Sequence, residues 1–94
     1  MLATRSRDLA EGCWAVPGLP CYNADATSPV SIQAALDRTQ ADFGAIDHLV
    51  HAAAVGSGKF GFPFTNLTPA DWPRVLEVNV MGMVNIAHAV APLL

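Results

Sequence analysis

Residues 28–53 read SPVSIQAALDRTQADFGAIDHLVHAA and contain the two most clearly marked structural elements of the chain. Ser28 is suited to cap a helix, Pro29 to occupy its first position, and Gly44 to end it in a left-handed conformation. Apolar residues recur between these positions at helical spacing. The pattern predicts a helix between Ser28 and Gly44.

The stretch Ile46–Ala53 that follows is apolar apart from a charge at Asp47 and two histidines. A short apolar run of this kind, set between Gly44 and Gly56, is typical of a strand buried on both faces of a parallel sheet. We therefore expect a central strand at Ile46–Ala53.

Strands and helices alternate along the chain. Met1–Thr4 and Leu19–Ala24 are weaker strand candidates, and Thr68–Asp71 is a variant capping box that opens a long apolar helix. This alternation predicts an α/β fold with a partial doubly wound parallel sheet of about three strands alternating with helices. Because both chain ends fall at predicted elements, we expect residues 1–94 to form a single partial domain truncated at both ends.

The composition excludes several classes of protein. Of the 94 residues, 52% are hydrophobic and 14% are charged, which is too apolar for a disordered chain. The net charge of -3 and the five scattered basic residues argue against a nucleic-acid-binding surface. The most apolar run, Val78–Leu94, contains polar residues and is shorter than the ~20 residues of a membrane helix. It predicts a buried helix and no contact with a membrane.

The cysteines and histidines predict a cytoplasmic protein without a metal site. Cys13 and Cys21 are the only cysteines and have no metal-ligand spacing, which is typical of reduced thiols. The N-terminus lacks the apolar core of a signal peptide. His48 and His51 lie three apart on a predicted strand, where their side chains point to opposite faces.

Gly56, Gly58 and Gly61 form the pattern G-x-G-x-x-G directly after the third predicted strand. A dinucleotide phosphate loop of this pattern must open a helix, but Gly61 and Pro63 follow Gly58 too closely for a helix to begin there. The glycines therefore favour a mobile loop at Gly56–Asn66, which we call the glycine loop. The small side chains of Ala52–Ala54 would let a flat ligand approach the strand end, or would pack under a neighbouring helix.

A series of motifs, in order and spacing, resembles the short-chain dehydrogenase/reductase family over nearly the whole chain. The motifs are Asp25-Ala26-Thr27, Phe43-Gly44-x-Ile46-Asp47-x-Leu49-Val50, His51-Ala52-Ala53-Ala54, Leu67-Thr68-Pro69-Ala70-Asp71-Trp72 and Glu77-Val78-Asn79-Val80-x-Gly82. The resemblance implies a Rossmann-like doubly wound sheet that binds NAD or NADP. It also implies hydride transfer to or from a carbonyl or alcohol.

The resemblance also implies roles for individual residues. Asp25 matches the acidic residue that receives the adenine amino group, and Ala26 the neighbour whose backbone assists. Asn79 matches an asparagine whose helix irregularity positions a water beside the catalytic lysine. Arg5 lies where the family often binds the 2′-phosphate, which favours NADP over NAD, although it could be an ordinary surface charge. The residues that match the segment on the adenine-ribose side are His51, Ala52, Ala53 and Ala54.

The chain departs from the family pattern in two respects. The segment His51–Ala54 lacks the usual asparagines. This segment with the strand before it, and the pattern Asn79-Val80-x-Gly82-x-x-Asn85, are closer to the extended branch of sugar-nucleotide epimerases and dehydratases. Phe43-Gly44-x-Ile46-Asp47 and Thr68-Pro69-Ala70-Asp71-Trp72 favour the shorter branch. The catalytic Tyr-x-x-x-Lys pair is absent, because Tyr22 is followed four residues later by Ala26 and the single lysine is Lys59. The resemblance therefore implies a segment of a short-chain oxidoreductase that is inactive alone.

The long helix is expected to form a surface for association. In the family this helix commonly forms a dimer interface, so the resemblance implies a homo-oligomer formed through residues 69–91. A non-catalytic interaction module is the alternative, since such a module would also need a partner to cover the apolar helix.

Overall fold

The structure is a computed structural model that describes residues 2–4 and 21–94. Strands β1 (Leu2–Thr4) and β2 (Tyr22–Ala24) form a two-stranded parallel sheet in which Leu2 lies opposite Tyr22. The first two predicted strands and their parallel pairing are confirmed, although β2 covers only the end of the predicted stretch.

Helix α1 spans Pro29–Phe43 with the predicted caps. The hydroxyl of Ser28 accepts a hydrogen bond from the backbone N–H of Ser31 at 3.2 Å, and Pro29 occupies the first turn, where its missing N–H costs nothing. Gly44 has a φ of 84° and donates its N–H to the carbonyl of Gln40 at 2.7 Å. The positive φ explains why glycine suits this position.

The predicted long helix forms, but its backbone geometry changes along its length. It consists of a 3₁₀ turn at Pro69–Asp71, helix α2 at Trp72–Leu76, a π-helical segment at Glu77–Met81, helix α3 at Gly82–Val90 and a 3₁₀ turn at Ala91–Leu93. The capping box is confirmed, because Thr68 and Asp71 form both of its reciprocal bonds. Pro73 lies in the first turn of α2, where it is tolerated.

The core lies where α1 packs against α3. Its buried residues are Ala26, Ile32, Leu36, Ile86 and Val90, each at most 4% exposed. Ala26 is the member that follows β2, so the core attaches the end of the strand to both helices.

The helical segment Pro69–Leu93 is the one described segment that is long and apolar enough to cross a membrane. It has 25 residues and a mean hydropathy of 1.3 over its most apolar stretch, of which 22% is buried. Core helices of soluble proteins can satisfy the same criterion. The absence of a membrane contact therefore stays a prediction.

The prediction of a strand at Ile46–Ala53 is wrong for this structure, where the segment forms no strand ladder. In a doubly wound sheet of order 3-2-1-4-5-6, strands 2 and 3 are neighbours, whereas strand 4 pairs with strands 1 and 5. If β1 and β2 correspond to strands 2 and 3, the described residues contain no backbone partner for this segment. Val50 is accordingly 87% exposed. Only the β1–β2 pair of the predicted sheet is confirmed.

The prediction of a reduced thiol is wrong at Cys21, which is disulfide-bonded in the structure. The same prediction for Cys13 falls outside the described residues. A disulfide is uncommon in reducing compartments, so Cys21 lends no support to the cytoplasmic location, which stays a prediction.

Candidate functional site

A hydrogen-bonded turn at Asp25 follows β2. One carboxylate oxygen, Oδ1, accepts hydrogen bonds from the N–H of Thr27 at 2.9 Å and from its hydroxyl at 2.8 Å. The N–H of Asp25 donates to Oγ of Ser31 at 2.9 Å, and its carbonyl accepts from the N–H of Ser28 at 3.0 Å. The turn therefore holds an exposed acidic residue at the carboxyl end of a parallel strand, which is where ligands bind in open α/β sheets.

Ala26 attaches this turn to helix α3. It is 4% exposed, and its carbonyl accepts a hydrogen bond from Nδ2 of Asn85 at 3.1 Å. A Cβ added at Gly82 would lie 3.0 Å from Cβ of Ala26, so the helix backbone approaches as closely as a glycine allows. Sequence reasoning assigned no role to Asn85. The available signal was an amide within an apolar helix, which must find a hydrogen-bond partner when it is partly buried.

Asn79 lies in the π-helical segment and holds the backbone of Val55. Its Oδ1 accepts from the N–H of Val55 at 2.8 Å, and its Nδ2 donates to the carbonyl of the same residue at 2.9 Å. The irregularity that the resemblance implied at this asparagine is present. Its proposed part in catalysis stays a prediction, and the described role of the side chain is to fix the segment that precedes the glycine loop.

The predicted adenine-ribose segment leads directly into Val55. Ala52 and Ala54 are exposed, while His51 and Ala53 are half-buried. The same helical region thus holds two candidate cofactor segments, one through Asn79 and one through the contact between α3 and Ala26. The remaining predicted cofactor residue, Arg5, lies outside the described residues.

The sequence predicted that no helix begins in the glycine loop, and the structure agrees, since no regular α-helix starts there. Gly58 and Gly61 have φ values of 80° and 82°, which make turns, and a short 3₁₀ turn follows at Phe64–Asn66. Lys59 connects the first part of this loop to the loop's end and to the start of the long helix. Its ammonium donates to the carbonyl of Asn66 at 3.0 Å and to the carboxylate of Asp71 at 2.7 Å. The loop is therefore attached to the start of the long helix.

This attachment lowers the pKa of Asp71. The hydrogen bond from Lys59 is the largest cause, and the backbone N–H of Thr68, which donates at 2.7 Å, adds to it. Partial burial acts in the opposite direction but is outweighed. Asp71 thus serves both as the capping residue of the helix and as the counter-ion of the loop.

The outer face of the long helix is apolar and accessible. Its large side chains are about half exposed, between 46% and 51%: Trp72, Leu76, Val80, Met81, Met83 and Val84. We call this set the apolar stripe. Loops do not cover it in the part of the chain that the structure describes, which makes it a candidate contact surface.

The parallel β1–β2 pair followed by a helix is typical of an α/β fold, and comparison with known proteins identifies the family of the chain. The model of a family described as enoyl-(acyl carrier protein) reductase matches residues 2–94. The short chain dehydrogenase tazN of Aspergillus terreus is 31% identical over 93 residues, which cover 99% of this chain and 20% of that protein. The chain belongs to the short-chain dehydrogenase/reductase family, whose members are NAD(P)-dependent oxidoreductases.

Further similarities agree with this assignment. The bovine 3-hydroxyacyl-CoA dehydrogenase type-2 is 33% identical over 91 residues, which cover 94% of this chain and 33% of that protein. A crystal structure described as a short-chain dehydrogenase/reductase from Burkholderia xenovorans superposes with a TM-score of 0.77 at 23% identity. It covers 99% of this chain and 40% of that one, and it supports the α/β fold. The chain thus spans between a fifth and a third of the length of these curated relatives.

Proposed function

We propose that this chain is the part of an NAD(P)-dependent short-chain oxidoreductase that receives the adenosine half of the cofactor. The observation that carries the proposal is the exposed carboxylate of Asp25, held in a hydrogen-bonded turn at the carboxyl end of β2. The complete enzyme would transfer hydride between the nicotinamide cofactor and a carbonyl or alcohol substrate. The relatives in this family support that reaction type.

The residues present fit one half of the cofactor. A carboxylate at Asp25 is a suitable acceptor for the amino group of adenine, and the methyl side chains of Ala52 and Ala54 leave room for a flat base. The bound cofactor would supply the hydride chemistry. Among the described residues, no regular helix begins directly after Gly58 and Gly61, so this loop offers no helix N-terminus to hold the pyrophosphate of the cofactor. We therefore assign to the chain only the adenosine end of the cofactor.

NADP is the cofactor that we propose, with NAD as the alternative. The support is in the sequence: Arg5 follows the stretch of β1, and neither Asp nor Glu stands at that strand end to bind a free ribose hydroxyl. Adenosine 2′-monophosphate should therefore bind the chain more tightly than adenosine 5′-monophosphate. Equal binding of the two would favour NAD.

The 94-residue chain alone is proposed to be inactive. A family member uses a tyrosine as general acid and a lysine four residues later to lower its pKa, and this chain contains no such pair. We expect no NADPH oxidation with carbonyl substrates and only weak cofactor binding. A micromolar affinity for NADPH in a fluorescence titration would contradict this part of the proposal.

The experiment that tests the site is an NMR titration of the chain with NADP. Amide signals of residues 25–28 and 52–54 should shift, and Asp25→Asn should weaken binding because the charge that attracts the amino group is lost. Asp37→Asn is the matched control, since this exposed carboxylate on α1 bonds Gln33 instead. Shifts elsewhere in the chain, or equal binding by both variants, would refute the assignment.

A second candidate function is a non-catalytic interaction module, and the apolar stripe is the observation that favours it. Both candidates require the helical region 69–91 to be covered, and for either we propose a homo-oligomer formed through it in the cytoplasm. Thermal melts of the chain with and without NADP separate them. A cooperative melting temperature that NADP leaves unchanged supports the module, whereas one that NADP raises supports a part of a larger enzyme.

A further inference from the structure

Helix α3 holds the Asp25 turn at two neighbouring points. Nδ2 of Asn85 donates to the carbonyl of Ala26 at 3.1 Å, and the bare backbone at Gly82 lets Ala26 come into direct contact one helical turn earlier. Ala26 is 4% exposed and belongs to the core cluster. Its carbonyl therefore has little access to water that could replace the amide of Asn85.

The hydrogen bonds inside the turn have a different role from the bond that Asn85 makes. The bonds that Thr27 and Ser28 make with Asp25, and that Asp25 makes with Ser31, fix the carboxylate relative to the turn and to α1. None of these bonds reaches α3. The bond from Asn85 links residues 59 apart in sequence and sets where the turn lies against the long helix.

We propose that Asn85 is a positioning residue of the adenine subsite, which orients the Asp25 carboxylate by holding the carbonyl of Ala26 against α3. The inference rests on the proposed function, because it takes the Asp25 turn as the site that receives adenine. Asn85 itself touches no ligand. Without its donor, the turn would be held less firmly against the helix, and its internal bonds would open more often.

Asn85→Asp is the sharpest variant, because it keeps the shape of the side chain and replaces the donor with a charged acceptor facing a carbonyl oxygen. Asn66→Asp is the matched control, since it makes the same chemical change at an exposed residue of the glycine loop. Hydrogen exchange of individual amides by NMR on the full 94-residue chain reports the outcome. At pH 7 we expect Asn85→Asp to speed exchange of the Thr27 and Ser28 amides about tenfold, as expected for local opening.

Acidification gives a readout that a general loss of stability would not produce. Once the introduced carboxyl is protonated it can donate to the Ala26 carbonyl, so exchange relative to the unsubstituted chain at the same pH should recover. Titration with adenosine 5′-monophosphate then tests the subsite. Asn85→Asp should weaken binding at pH 7 about threefold or more, and Asn66→Asp should not.

The outcomes separate this inference from the function on which it rests. Unchanged exchange at Thr27 and Ser28 in a folded Asn85→Asp chain, or faster exchange with unchanged nucleotide binding, overturns the positioning role while the proposed function stands. No nucleotide binding by the unsubstituted chain contradicts the proposed function and, with it, the adenine subsite. If Asn85→Asp loses protection throughout, Asn85→Ala removes the donor without adding charge, and the same outcomes decide.

Discussion

Asn79 and Val55 exchange two hydrogen bonds, in which the amide of the side chain pairs with both the N–H and the carbonyl of one backbone residue at 2.8 and 2.9 Å. This pairing imitates what a neighbouring strand would do for an extended segment. It comes from a π-helical segment, where the widened turn re-aims side chains relative to a regular helix. A helix irregularity therefore fixes the end of a segment that has no strand partner among the described residues.

Replacing Asn79 with alanine should destabilise the chain. Both backbone groups of Val55 would lose their partner, at a cost of about 1–3 kcal/mol per group that stays buried and unpaired. Urea unfolding followed by tryptophan fluorescence measures the change. Asn66→Ala, at an exposed asparagine, should change stability by less than about 0.5 kcal/mol, as for most surface substitutions. An equal effect of the two variants would show that the amide pairing contributes nothing specific.

The Lys59–Asp71 pair should make stability depend on pH in acid. Because its pKa is lowered in the folded chain, Asp71 contributes stability that is present above its unfolded value of 3.8 and is lost as pH falls through the lower folded value. Thermal melts between neutral pH and pH 2 should show this loss, and Asp71→Asn should remove that part of it.

The control for Asp71 is Glu77, which pairs with Arg74 at 3.2 Å on the surface. Both side chains of that pair are more than half exposed, at 66% and 52%, so water screens the interaction. Glu77→Gln should leave the acid profile nearly unchanged. A profile that Glu77→Gln alters as much as Asp71→Asn would count against the loop attachment.

Gly82→Ala should be destabilising, even though alanine is more favourable than glycine in a helix by about 1 kcal/mol. The added methyl would lie 3.0 Å from Cβ of Ala26, and relieving that overlap in a packed core costs about 1–3 kcal/mol. Chemical denaturation measures the balance. At Gly56 the nearest atom to an added Cβ is 4.0 Å away, so Gly56→Ala serves as the tolerated control. A stabilised Gly82→Ala chain would show that the turn can move away from α3.

Local signals in the sequence predicted the parts of this fold that depend on local chemistry. Ser28, Pro29 and Gly44 delimit α1 because caps and left-handed stops act within one helical turn. The capping box at Asp71 was visible for the same reason. The sequence signal for a strand at Ile46–Ala53 is as clear as the signals for these helices. Strand formation, however, depends on a partner elsewhere in the structure, and the hydrophobic pattern alone does not supply one.

In the candidate site too, some features could be predicted from the sequence, and others depend on contacts between distant parts of the chain. The acidic residue at Asp25 and the irregularity at Asn79 were expected from the family resemblance, whereas the hydrogen-bonded turn around Asp25 and the contact of Asn85 with Ala26 were not. That bond joins residues 59 apart, and only the packing of α3 against the end of β2 brings them together. The Lys59–Asp71 bridge was not predicted, because it depends on how the loop folds back onto the start of the long helix, and the glycine spacing does not specify that path.

The apolar stripe should control association. A charge introduced at Leu76 or Met83, which are 49% and 47% exposed, would have to be buried when two copies of the stripe meet, and an unpaired buried charge is strongly unfavourable. Leu76→Lys and Met83→Lys should therefore shift the chain toward monomer in light-scattering measurements at fixed concentration. Val30→Lys is the control, because Val30 is 81% exposed and belongs to α1, not to the apolar stripe. If all three variants associate like the unsubstituted chain, the oligomer does not form through residues 69–91.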